Sequence, residues 1–149
     1  MSTRFKQGKY VIPKRYLHKY VGNPDNIVYR SQWEKTFMDY LCQSPKVHRW
    51  NSEDLVIKYI NALDGRVHEY YVDFYVEIIK ADETVEKYWI ECKPYSQTIP
   101  PKQGRNNKTY QYQLETYIRN QSKWKYAKAE AERCGAKFRV LTERSGIAL

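Results

Sequence analysis

The amino-acid sequence predicts a single α/β domain in which helices flank a mixed central sheet. Two observations support this prediction. Apolar residues alternate with polar ones in several short segments, and they recur at three- and four-residue steps in two longer ones. The last short segment follows the second predicted helix, so it can join the sheet parallel to a neighbouring strand through a right-handed crossover.

Two helices are expected, and both have recognisable ends. The first covers residues 31–42, with Ser31 as its N-cap, and it ends before Pro45. The second covers residues 109–134, and Gly135 suits its C-cap. Each has an apolar stripe at helical spacing. The stripe residues are Trp33, Phe37, Tyr40 and Leu41 in the first helix, and Tyr110, Leu114, Tyr117, Ile118, Trp124, Ala127 and Ala131 in the second.

The strands are expected mainly between these helices. A short extended segment is expected at residues 47–50, and Asp64-Gly65 is a strong hairpin signal. The three strands around this turn are expected to form an antiparallel meander. The predicted strands of the meander cover residues 53–60, 67–79 and 85–93, and a last strand covers residues 137–142.

The chain divides into three parts by composition. Residues 1–29 predict a basic N-terminal arm, because glycines and prolines interrupt any long element and tyrosines alternate with basic residues. The arm could lie along nucleic acid or a partner protein, or it could be a loosely packed extension. Residues 30–143 form the predicted folded domain, and residues 144–149 an unstructured tail.

Charge points to a polyanionic partner. The formal net charge is +9 and the isoelectric point is about 9.4. Two basic segments, residues 1–30 and 95–128, flank the neutral to acidic middle of the chain, which suits a phosphate backbone. The sequence has no apolar run of membrane-spanning length and no signal peptide, so no membrane is expected. It also has no glycine-rich phosphate loop, so no nucleotide cofactor is expected.

The candidate site lies in the last two strands of the meander. Asp73 stands in one strand, and Glu91-Cys92-Lys93 ends the next. Because side chains alternate along a strand, Glu91 and Lys93 should share a face while Cys92 points to the core. If the strands pair, Asp73 can lie beside Glu91 and Lys93. Two carboxylates and an ammonium at a sheet edge are satisfied by a divalent metal and a phosphate.

With Glu34 on the upstream helix, this pattern resembles the PD-(D/E)XK nuclease superfamily and its restriction-endonuclease-like fold. Within that superfamily, residues 8–143 are similar to the head-completion nucleases of large tailed bacteriophages. The usual proline before the aspartate is Val72 here. The stretches that carry the resemblance are residues 27–34, 64–68, 73–76, 90–94 and 120–124.

The resemblance implies metal-dependent cleavage of DNA, with Mg²⁺ as cofactor and Mn²⁺ accepted. The implied catalytic residues are Glu34, Asp73, Glu91 and Lys93. The implied metal ligands are Asp73, Glu91 and the backbone carbonyl of Cys92, while Glu34 completes the shell through water or holds a second ion. Glu34 has a second interpretation, since Ser31-Gln32-Trp33-Glu34 fits a capping box.

The candidate DNA contacts are mostly basic residues beside the site. They are Arg30, Lys102, Arg105, Lys108, Asn120 and Lys123. The alternative for Asn120 and Lys123 is a solvated helix face. The implied partners are double-stranded DNA and components of the phage head or portal, with the protein in the virion and in the host cytoplasm during assembly. A catalytically weak or inactive virion protein that binds DNA ends or the portal stays an alternative, and a basic RNA-binding module is a second one.

Overall fold

The computed structural model describes residues 7–104, 107–147 and 149. Within these residues, eight strands and two α-helices follow one another, with three short 3-10 helices at Lys14–Lys19, Pro24–Asn26 and Tyr95–Gln97. The helices are α1 (Gln32–Gln43) and α2 (Lys108–Arg133). The strands are β1 (Gly8–Lys9), β2 (Val28–Tyr29), β3 (Val47–Ser52), β4 (Val56–Ile60), β5 (Val67–Tyr71), β6 (Phe74–Ile79), β7 (Val85–Cys92) and β8 (Ala136–Leu141).

The central sheet is mixed and has the order β3-β6-β7-β8. Strands β3, β6 and β7 pair antiparallel, whereas β8 pairs parallel to β7 after the crossover through α2. One apolar cluster joins the sheet to α1 through Phe37, Leu41 and Ile90, and a second joins it to α2 through Trp89 and Trp124. The predicted fold class and the parallel last strand are thereby confirmed.

The predicted strand 67–79 breaks in two at Val72 and Asp73. Its first half, β5, pairs with β4 in a separate hairpin, while its second half, β6, lies inside the central sheet between β3 and β7. The predicted three-strand meander is therefore wrong. A matching break separates β3 from β4 at Glu53, which has a positive φ of 55° and whose N–H donates to the Asp73 carbonyl over 3.0 Å. The break leaves Asp73 at the junction of the two sheets.

The β4–β5 hairpin packs against α2. Its buried face carries Ile57, Tyr59 and Tyr70, which belong to the same apolar cluster as Trp124. The turn after β4 is tied to the helix, since the Ala62 N–H donates a hydrogen bond to the Ser122 hydroxyl over 3.1 Å. This packing holds the hairpin beside the end of β7.

The N-terminal segment does not form a separate arm between residues 7 and 29. Tyr10, Ile12 and Ile27 are buried in the cluster around α1. The ammonium of Lys19 is also buried and donates to the carbonyls of Cys42 (2.8 Å) and Ser44 (2.7 Å). Apolar burial thus outweighs the glycine and proline breaks that favoured an arm, and these residues share the core of the domain.

The C-terminal residues also contact the core. Ile147 and Leu149 are half-buried against the cluster around α1, and the Leu149 N–H donates to the Tyr40 hydroxyl over 3.3 Å. This differs from the expected unstructured tail. In the described part of the chain, no helix is both long enough and apolar enough to cross a membrane.

Candidate active site

Asp73 and Glu91 lie side by side at the edge of the central sheet. The register pairs Phe74 with Ile90, so Asp73 stands next to the end of β7. The Cys92 N–H donates to Asp73 Oδ2 over 2.8 Å, and Lys93 Nζ lies 3.8 Å from Glu91 Oε2. The structure therefore brings together the two carboxylates and the ammonium that the sequence pattern predicts.

The alternation along β7 divides these residues between the two faces of the sheet. Glu91 follows Trp89 on the face that packs against α2, and it is only 3% exposed. Cys92 follows Ile90 on the opposite face and packs against the cluster around α1. The prediction that Cys92 points to the core is confirmed, which leaves its backbone rather than its thiol near the carboxylates.

The carboxyl group of Asp73 is held in an unfavourable environment for an anion. Burial raises the pKa of Asp73 well above its ordinary value, and the negative charges of Glu91 and Glu34 raise it further. The hydrogen bond from the Cys92 N–H opposes this shift in part. Carboxylates forced together in this way favour a bound cation, because a cation removes their repulsion.

Tyr70 is part of this site, although it is absent from the residues that the sequence predicts. Its hydroxyl donates a buried 2.7 Å hydrogen bond to Glu91 Oε1. Burial and the charge of Glu91 raise the pKa of Tyr70, so the hydroxyl keeps its proton. On a continuous strand Tyr70 and Asp73 would face opposite sides, so the alternation gave no signal for it. The break at Val72 brings both residues to the site.

Glu34 takes part in the N-cap of α1 through its backbone and borders the cavity with its side chain. Its backbone N–H donates to the Ser31 hydroxyl over 3.1 Å, which is the expected N-cap bond of α1. Its carboxylate accepts a 3.3 Å hydrogen bond from the same hydroxyl and also lines the cavity that contains Asp73. Burial raises the pKa of Glu34. The cap uses the backbone, so the carboxylate is available to the site.

A cavity of about 670 Å³ opens beside these groups. Asp73, Cys92 and Lys93 line it next to the sheet. The start of α1 forms one wall, with Arg30 and Trp33, and the segment Pro94 to Gln97 forms another, near Glu143. Its volume lies within the range of sites that bind small molecules or single residues of a polymer.

The donor atoms of the site suit a hard divalent cation. Within the described residues, no group of three or more His, Cys, Asp and Glu side chains is placed to hold a metal ion. The adjoining carboxylates of Asp73 and Glu91 still fit Mg²⁺, because this ion is often held by one or two carboxylates and keeps several waters. Burial and the negative charge of Glu91 raise the pKa of Asp73, and a bound cation would relieve the repulsion between the two carboxylates.

Lys123 lies closer to the carboxylates than its place on a helix face suggests. Its ammonium stands over the Tyr70 ring, 5.4 Å from the ring centroid. Burial lowers the pKa of Lys123, as does the charge of Lys93, while Glu91 opposes both effects. Lys123 is therefore a second cation beside Glu91, and the solvated-face alternative does not describe it.

The other candidate DNA contacts have different environments. Arg30 forms an ion pair with Glu53 at the rim of the cavity. Asn120 is only 3% exposed, since it lies one turn before Trp124 on the buried stripe of α2, so the predicted direct phosphate contact is wrong for it. Lys102 and Lys108 are exposed, and the prediction for Arg105 lies outside the described residues.

Comparison with known proteins agrees with this geometry. Residues 44–143 match the family model described as the TnsA-like endonuclease N-terminal domain. The chain is also 37% identical, over 141 residues, to the head completion nuclease of Enterobacteria phage T4. That match covers 91% of this chain and 90% of the relative. No solved structure matches the chain.

The matched region contains both strands of the candidate site and the helix that follows them. The match to the phage protein extends the likeness to nearly the whole chain. Both findings confirm the resemblance that Asp73, Glu91 and Lys93 predict. The chain therefore belongs to the TnsA-like endonucleases of the PD-(D/E)XK class, in the same family as the phage head completion nuclease.

Proposed function

We propose that this protein is a Mg²⁺-dependent deoxyribonuclease that cuts or trims DNA during completion of a phage head, and that Mn²⁺ can replace Mg²⁺. The observation that carries the proposal is the pair of adjoining carboxylates, Asp73 and Glu91, with the Lys93 ammonium 3.8 Å from Glu91 beside an open cavity. The name of the T4 relative, head completion nuclease, supports both the reaction and the setting.

Each residue of the site has a role in this proposal. The carboxylates of Asp73 and Glu91 would hold the ion, and the carbonyl of Cys92 would supply a further oxygen ligand. The chemistry supplied by such an ion would be polarisation of a phosphoryl oxygen and a lowered pKa of a coordinated water. Lys93 orients the attacking water or stabilises the charge that develops on the phosphate. Glu34 completes the ligand shell through a water molecule.

The DNA backbone is held by basic side chains around the site. Lys123 stands next to Glu91 and Lys93, where a phosphate can be shared between the two ammonium groups. Arg30 borders the cavity on the α1 side, and Lys102 and Lys108 are exposed near the start of α2. Such contacts bind phosphates without reading bases, so we expect little sequence preference and strong salt dependence.

We infer the biological setting from the name of the T4 relative. Its name assigns it to head completion, so we place this protein in the host cytoplasm during assembly and in the finished virion. Components of the head or the portal are its expected protein partners. Double-stranded DNA is the expected substrate.

The proposal is tested with purified protein and two substrates, supercoiled and linear double-stranded DNA. Each is incubated with Mg²⁺, with Mn²⁺ and with EDTA, beside Asp73→Asn and Lys93→Met. We expect cleavage by the wild type with either metal, none in EDTA, and at least a hundredfold loss in both variants. Lys128→Met is a matched control, because Lys128 is an exposed lysine of α2 outside the cavity lining. If the wild type binds both substrates but leaves them intact, the nuclease proposal is wrong, and a DNA-binding virion protein becomes the better interpretation.

A further inference from the structure

Trp33 differs from the other tryptophans of the chain. Trp50, Trp89 and Trp124 are buried in the two apolar clusters. Trp33 is only half-buried, and it lines the cavity beside Asp73 and Lys93. It also stacks on Phe37, with 5.9 Å between the ring centroids and 17° between the planes. Trp33 thus has a fixed orientation and an accessible part that borders the cavity.

Two amide side chains also border the cavity. Gln32, at the start of α1, and Gln97, in the segment after β7, are exposed and both line it. Each amide offers two donors and an acceptor, which is what the edge of a base can pair with. An aromatic ring, two amides and the Lys93 ammonium therefore border one cavity. Such groups can recognise the face of a base, its edge and a phosphate.

The geometry limits which nucleotides could enter. In an intact duplex, both faces of a base are covered by its neighbours, so a base enters a side cavity only after it leaves the stack. Leaving the stack costs least for a base that is already single-stranded. Stacking on one aromatic ring strengthens binding by roughly ten- to a hundredfold, which helps an unpaired base but does not favour opening an intact duplex.

We propose that the cavity binds an unpaired nucleotide at a DNA end or in a single strand, with its base against Trp33 and its phosphate at Lys93. The inference rests on the proposed function, because it names the form of DNA that the site takes. It makes this protein selective for ends and single strands over continuous duplex. The competing interpretation is that Trp33 only completes the border of the core next to Phe37.

The test is tryptophan fluorescence in EDTA, where no cleavage occurs. The probes are a short single-stranded oligothymidylate and a relaxed, covalently closed circular duplex, which has no ends. We expect the oligonucleotide to quench the wild type, since only Trp33 is accessible to it. The closed circle should bind, as judged by gel shift, without quenching. Equal quenching by both probes would overturn the proposal.

Two substitutions separate stacking from support of the core. Trp33→Phe should abolish the quenching and keep the affinity for the oligonucleotide within about threefold, because an aromatic ring remains. Trp33→Leu should weaken that affinity about tenfold and leave binding of the closed circle unchanged. Tyr112→Leu is the control, since Tyr112 is 69% exposed on α2 and lies outside the cavity lining. Quenching that survives in Trp33→Phe, or oligonucleotide binding that Trp33→Leu leaves intact, would contradict the proposal.

The outcome is independent of the nuclease activity. If the protein cleaves DNA with Mg²⁺ but Trp33 shows no response to the oligonucleotide, the nucleotide site is wrong and the proposed function stands. If Trp33 responds as expected and no metal supports cleavage, the cavity is a binding site for unpaired DNA and the proposed reaction is wrong.

Discussion

The hydroxyl of Tyr70 donates a 2.7 Å hydrogen bond to Oε1 of Glu91, and this bond joins the β4–β5 hairpin to the central sheet. It is buried, and it fixes one oxygen of a proposed metal ligand while Lys93 lies 3.8 Å from the other. Groups that orient a ligand in this way commonly change metal affinity by ten- to a hundredfold when removed. Tyr70 is thus a positioning residue of the site.

Tyr70→Phe should therefore weaken metal binding without destroying the fold. We expect the Mg²⁺ concentration for half-maximal cleavage to rise about tenfold, with a smaller change at saturating Mg²⁺. Cleavage is measured against Mg²⁺ concentration for both proteins. Tyr59→Phe is the matched control, because Tyr59 is buried in the same hairpin and stacks edge-on against Tyr70. Equal Mg²⁺ curves for Tyr70→Phe and wild type would contradict the role.

The site shows what the sequence could and could not predict. Strand alternation and a short hairpin were enough to place Asp73 beside Glu91 and Lys93, because both act over neighbouring residues. Tyr70 was missed because its position depends on the break at Val72 and Asp73, which lies opposite the break at Glu53. No local pattern reports that two halves of one apolar run pair with different partners.

The same limit applies to the N-terminal segment and to Asn120. Glycine, proline and basic residues made residues 7–29 resemble an arm, yet Tyr10 and Ile27 are buried against α1. Asn120 has the polarity of a surface residue, but it lies on the buried stripe of α2. Whether such residues are buried depends on contacts with residues far away in the sequence, and the polarity of neighbouring residues does not reveal those contacts.

Lys19→Met should destabilise the protein, because Lys19 ties the N-terminal segment to the end of α1. Its ammonium donates to the carbonyls of Cys42 and Ser44, which would lose these bonds inside the protein. Burial lowers the pKa of Lys19, because the buried ammonium loses contact with water. This desolvation offsets part of the stabilisation that the hydrogen bonds provide. We expect a loss of about 1–3 kcal/mol in the free energy of unfolding, measured by urea denaturation.

The control for Lys19→Met is Lys14→Met, because Lys14 is an exposed lysine in the same 3-10 helix. Its expected change is below about 0.5 kcal/mol. Equal stability of both variants would show that the Lys19 hydrogen bonds do not contribute to holding residues 7–29 to the core.

Glu86 links β7 to β8 and gives stability a defined dependence on pH. Its carboxylate forms an ion pair with Lys137 and accepts a 2.7 Å hydrogen bond from the Tyr88 hydroxyl. These contacts, the one with Lys137 first, lower the pKa of Glu86 from 4.5 to about 2. The folded state then binds fewer protons than the unfolded state between these values, so the stabilisation is complete above pH 4.5 and is lost as the pH falls through about 2.

Glu86→Gln should therefore be less stable than the wild type at neutral pH, and the difference should shrink between pH 4.5 and about 2. Because the Lys137 side chain is exposed to solvent, the difference should also fall with added salt. Urea denaturation at several pH values measures it. Glu115→Gln, at an exposed position of α2, supplies the control. A difference that persists unchanged at low pH would assign the effect of Glu86→Gln to packing.

Glu34→Gln separates the two roles of the residue at the start of α1. The N-cap bond runs from the Glu34 backbone N–H to Ser31, so it survives the substitution. Burial raises the pKa of Glu34, which means that the charged carboxylate is held at a cost that the neutral amide avoids. If Glu34 acts in the reaction, cleavage should fall at least tenfold while the free energy of unfolding stays equal or rises slightly.

Ser31→Ala is the complementary variant, because it removes the cap and should cost about 1 kcal/mol of stability. Cleavage assays and urea denaturation on both variants give the answer. Full activity in Glu34→Gln would leave Glu34 as a capping residue, and the ligands of the ion would then come from Asp73 and Glu91.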